Sequence, residues 1–92
     1  MIVRIMGEGQ FDVPDGALDE LNRLDDDLEA ACASGDEATF RQALTALNQG
    51  VHDRGTTLPD DYLGPSDLVL PGRDSSLAEV SALLTDEGLI PD

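Results

Sequence analysis

Ala31-Cys32-Ala33-Ser34-Gly35-Asp36-Glu37-Ala38-Thr39-Phe40 is the stretch that decides the fold. Small and apolar residues run up to Ser34, a Ser-Gly-Asp break follows, and a second periodic run begins at Phe40. Gly35 suits the position just after a helix end, where the backbone turns left-handed. The Asp36 carboxylate is placed to accept from the free N–H groups that open the next helix. A break this short makes the two helices antiparallel neighbours, an αα-hairpin.

Reading back from the break, Leu21, Leu24, Leu28 and Ala31 recur at steps of three and four, flanked by Leu18 and Cys32. Asp19, Glu20, Arg23, Asp25, Asp26, Asp27 and Glu29 fall between them. This is an amphipathic helix from about Asp15 to Ala33, with the acids assigned to its solvated face. Reading forward, Phe40, Ala43, Leu44, Leu47 and Val51 give the apolar face of a second helix that ends near Asp53, with Gly55 as its stop.

The flanks add β-structure. Ile2 to Met6 are mostly β-branched or apolar, Gly7-Glu8-Gly9 interrupts them, and Phe11 and Val13 alternate in Gln10-Phe11-Asp12-Val13. Residues 2–13 therefore read as a β-hairpin with Phe11 and Val13 on one buried side. Residues 54–75 are a Pro- and Gly-containing connection, within which Asp67-Leu68-Val69-Leu70 forms a short strand (67–70) that joins the hairpin. Its flanking Pro65 and Pro71 point to an edge position or a very short strand. Ser76-Leu77-Ala78-Glu79 is a capping box opening a third helix (76–87), with Leu77, Val80, Leu83 and Leu84 as its apolar face. Leu89-Ile90 supplies a last apolar anchor. The sum is one α+β domain spanning residues 1–92: N-terminal β-hairpin, antiparallel helix hairpin, a further short strand and a short third helix.

The charge is lopsided, with 20 Asp and Glu against five Arg and no Lys, a formal −15. Such a surface repels phosphate backbones and anionic lipid, and attracts basic protein surfaces. Genome composition or a saline habitat produces the same balance, so charge alone assigns no partner. A lone cysteine rules out an internal disulfide framework, and no run approaches the ~18 apolar residues of a membrane span, so a cytoplasmic location is expected.

Chemistry-bearing motifs are sparse. His52, the one histidine, stands at a helix end without a nucleophile or orienting group in sequence reach. Cys32 lies among alanines at a helix C-terminus, the wrong end to stabilise a thiolate, and reads as a small buried hydrophobe. Asp25-Asp26-Asp27-Leu28-Glu29 lacks the alternate spacing and chain-turning glycine of a calcium loop. Gly7-Glu8-Gly9 is a hairpin turn, too short to cradle phosphate. The expectation is no catalytic residue, no metal and no cofactor: a domain that acts by binding protein, not an enzyme.

Several segments, in order and spacing, resemble the PspA-associated (PspAA) family. They are Met1-Ile2-Val3-Arg4-Ile5-Met6-Gly7-Glu8-Gly9-Gln10, Leu18-Asp19-Glu20-Leu21-Asn22 and Gly35-Asp36-Glu37. The series continues with Gly55-Thr56-Thr57-Leu58-Pro59-Asp60-Asp61, Pro65-Ser66-Asp67-Leu68-Val69-Leu70-Pro71, Leu77-Ala78-Glu79-Val80 and Gly88-Leu89-Ile90-Pro91-Asp92. The resemblance implies a mainly helical core and a cytoplasmic accessory of a PspA-like helical, membrane-associated protein in envelope stress, held at the membrane only through that partner. It implies no catalytic residues. The candidate docking residues are Asp25, Asp26, Asp27 and Glu29, set to meet partner Arg or Lys, and Asp67, Leu68, Val69 and Leu70 on the strand edge. The alternative reading is an acidic DNA mimic or regulator whose carboxylates occupy a nucleic-acid-binding protein.

Overall fold

The computed structural model describes residues 1–59, 61–62 and 64–84. Two strands, β1 (Ile2–Ile5) and β2 (Gly9–Asp12), form an antiparallel hairpin that pairs Val3 with Phe11 and Arg4 with Gln10. A 3-10 turn at Asp15–Ala17 leads into α1 (Leu18–Ser34), and α2 (Glu37–Arg54) returns beside it. Then come β3 (Thr56–Thr57), β4 (Leu68–Leu70) and α3 (Leu77–Leu83). The sheet order is β3-β2-β1-β4, with β4 parallel to β1 and the other pairs antiparallel. The α+β expectation therefore holds.

The helix break forms as its residues dictate. Gly35 caps α1 with φ of 73°, and its N–H donates to the Cys32 carbonyl. Any L-residue at that φ is strained, so Gly35→Ala is expected to cost about 1 kcal/mol of unfolding free energy, read as a lower urea midpoint at unchanged m. Asp36 Oδ1 accepts from the N–H groups of Ala38 and Thr39 at 3.0 and 3.3 Å. At α3, the Ser76 and Glu79 side chains and backbones complete the capping box.

One core lies between the sheet and the helix hairpin. Val3, Ile5, Phe11, Leu68 and Leu70 of the strands, with Val13 just past β2, meet helix residues Leu21, Leu28, Phe40, Leu44, Leu47 and Val51, all buried. Period-2 alternation explains the strand pattern: odd positions of β1 face the helices while Arg4 faces away. Val80 is the one buried residue of α3.

The structure departs from the sequence reading in several places. The first helix starts with a 3-10 turn and becomes α-helical at Leu18. Thr56–Thr57, assigned to the connection, pairs with Asp12 and Phe11 as a two-residue edge strand. Leu83, assigned to the apolar face of the third helix, is 56% exposed, because α3 ends there and only its first turn reaches the core. Residues 85–87 of the expected third helix, and Leu89-Ile90, lie outside the described residues.

Candidate partner-binding surface

The two groups of candidate docking residues divide sharply once folded. On α1, Asp26 and Asp27 are exposed and Glu29 is half-buried. Asp25 is 2% exposed, which corrects its placement on the solvated face. It stands four residues after Leu21 and three before Leu28, so helical periodicity carries it inward with them. Asp25 is a buried structural residue and offers no carboxylate to a partner in this conformation.

On β4, Leu68 and Leu70 point into the core, at 8% and 0% exposure. Their side chains are not a docking surface, because strand alternation turns both towards the helices. Val69 points outward and is half exposed. Asp67 ties the strand to its neighbour: its N–H donates to the Ile2 carbonyl at 2.8 Å, and its Oδ2 accepts from the Ile2 N–H at 2.8 Å. Its edge position agrees with the sequence reading.

A polar junction escaped sequence reasoning altogether. Glu8, in the β1–β2 turn, accepts at Oε1 from His52 Nε2 at 2.9 Å and from Arg73 Nη2 at 3.2 Å. The His52 ring also meets Phe11 edge-on, with centroids 4.6 Å apart. Arg41 of α2 donates to the carbonyls of Arg73 and Ser75, which fastens the segment after β4 to the helix hairpin. These residues are dozens of positions apart, and no local pattern links them. The junction has no nucleophile, and its bonds tie the hairpin turn, the end of α2 and the segment entering α3 together.

Cys32 is half-buried; burial pushes its thiol pKa up, and a hydrogen bond with Ser81 opposes that only in part. A raised thiol pKa leaves little thiolate for nucleophilic chemistry. Among the described residues no group of three or more His, Cys, Asp or Glu is placed to hold a metal ion. Nor is any described helix long and apolar enough to cross a membrane.

The fold and surface define a small two-layer α+β domain, with a helix hairpin on one face of its sheet and excess acid on its exterior. The chain belongs to the PspA-associated protein family (PspAA), whose family model matches residues 1–92, the full length given. Comparison with curated proteins and with solved structures returned no match.

Proposed function

We propose that this chain is a non-catalytic, protein-binding accessory of a PspA-like membrane-associated protein in the envelope stress response. The observation that carries the reading is the family match over all 92 residues, from a family named for association with PspA. The side-chain chemistry is in keeping with it. The single histidine is committed to Glu8 and Phe11, and the single cysteine is half-buried with a raised pKa. A cytoplasmic protein that reaches the membrane only through its partner fits the net charge of −15, which opposes direct contact with anionic lipid.

Acidic excess acts on encounter more than on residence. Asp26 and Asp27, exposed side by side on α1, are the acids of the original four best placed to steer a basic surface. Co-purification with a PspA-like protein, followed by association kinetics across a salt series, tests the proposal. The wild-type chain is expected to bind. Asp26→Asn with Asp27→Asn is expected to slow association about 2–5-fold at low salt and to change little at high salt, where screening has already removed the steering. Absence of any complex with the wild-type chain sinks the reading.

A further inference from the structure

The sheet has two faces, and only one is filled by the helix hairpin. On the other, Val69, Arg4 and Gln10 stand in register as a row across β4, β1 and β2. The β2 end of the row is roofed: Gln10 is 8% exposed, and its Nε2 donates to Ser66 Oγ at 2.8 Å. The β1–β4 half is open. Val69 there is 53% exposed, and Met6, which extends β1 by donating its N–H to the Leu70 carbonyl, is 57% exposed. These are two of the three large hydrophobic residues exposed among the described residues.

Arg4 lies between them with a different status from most of the other arginines. Arg41 is bonded to two carbonyls, Arg54 to Glu20 at 2.6 Å, and Arg73 to Glu8. Arg4 is exposed, and its side chain has no hydrogen bond or ion pair among the described residues. Beside it, towards β2, opens a cleft of about 130 Å³ lined also by Glu8, Gln10, Leu58, Pro59 and Tyr62, which is room for one side chain. An unspent arginine flanked by exposed apolar side chains and a small cleft has the make-up of an interface hot spot.

We infer that this open strip of the sheet, centred on Arg4 with Val69 and Met6, is the seat for one amphipathic α-helix of the partner. The helix brings a carboxylate to Arg4, apolar side chains to Val69 and Met6, and Lys or Arg at its margins. The inference rests on the proposed accessory function and names the surface that serves it. Width supports a single helix: the open half is two strands wide, and at ~4.8 Å per strand it is close to the ~10–12 Å diameter of one helix. Charge supplies the rest, since exposed Asp12 and Asp67 border the strip and call for basic residues on the partner's flanks. Addition of a partner strand is disfavoured, because β4 has three residues and prolines at 65 and 71, the short and proline-bounded form that blunts a sheet edge. A second copy is disfavoured by the −15 charge it would carry.

Affinity for a purified PspA-like protein, measured for the wild-type chain, Arg4→Glu, Val69→Asp and the Asp26→Asn/Asp27→Asn pair, tests this. Arg4→Glu and Val69→Asp are each expected to weaken binding at least tenfold at a salt concentration that abolishes the effect of the Asp26/Asp27 pair. Arg4→Glu alters an exposed side chain with no bond among the described residues, so a folding defect in Val69→Asp leaves the test intact. Wild-type affinity in Arg4→Glu overturns the inference while leaving the accessory function standing. So does a wild-type dimer that Arg4→Glu dissociates without loss of partner affinity, which assigns the strip to a second copy. A wild-type chain that binds no PspA-like protein overturns the accessory function, and this surface with it.

Discussion

Phe40→Ala is expected to remove about 3–5 kcal/mol of unfolding free energy, the loss typical of truncating a fully buried phenylalanine. Phe40 is fully buried in the first turn of α2, where the second helix begins to cover the core. Its ring also lies 5.1 Å from the Arg41 guanidinium carbon, and Arg41 is the residue that holds the carbonyls of Arg73 and Ser75. Truncation therefore leaves a cavity and loosens the side chain that anchors the entry to α3. A chain of this length has a total stability of about 5–14 kcal/mol, so the variant sits near the edge of folding. Urea denaturation followed by far-UV circular dichroism reads the loss as a fall in midpoint. A loss under 1 kcal/mol would mean that Phe40 is not part of the cooperative core.

The helices were legible in the sequence because their signals are local. Spacing of Leu21, Leu28, Leu44, Leu47 and Val51 gave the buried stripes, and Ser34-Gly35-Asp36 carried both caps. Leu68-Val69-Leu70 announced a strand at an edge, although its parallel pairing with β1 depends on a chain path that no short window contains. Thr56–Thr57 gave no signal, since both side chains are exposed and backbone pairing with β2 alone makes them a strand. The Glu8–His52–Arg73 junction is tertiary in the same sense.

At Asp25 the residue type and the helical position give opposite signals. Its charge favours the solvated face, although its position lies within the stripe set by Leu21 and Leu28. Asn48 stands in the same relation to Leu44 and Val51, four after one and three before the other, and it too is buried. Each helix of the hairpin thus carries one polar residue in its inward stripe. For the candidate surface, Val69 was found as part of its strand. Arg4 carries no such local signal, because a single arginine in a strand gains meaning only when its exposed apolar neighbours across the sheet, Val69 and Met6, are placed beside it.

Asn48→Leu is expected to raise stability by about 1–2 kcal/mol, against the usual direction of a core substitution. Asn48 is 0% exposed, and neither its Oδ1 nor its Nδ2 has a hydrogen-bond partner among the described residues. Each such orphaned group costs about 1–3 kcal/mol of desolvation, which an apolar side chain does not incur. Leucine repeats the branching of asparagine at Cγ, so it replaces the two polar atoms with methyl groups in nearly the same places. Its greater volume sets the opposing effect, strain of about 1–3 kcal/mol in a closely packed interior, and this keeps the net gain modest. Buried polar residues in helix pairs serve in some proteins to fix one register over others. If Asn48 does so here, the leucine variant gains stability while its amide hydrogen-exchange protection across α1 and α2 becomes less uniform. A rise in urea midpoint at unchanged m supports the orphaned state of the amide, whereas a fall of more than about 1 kcal/mol means that leucine strain, or hydrogen bonds that Asn48 makes in solution, outweighs the gain.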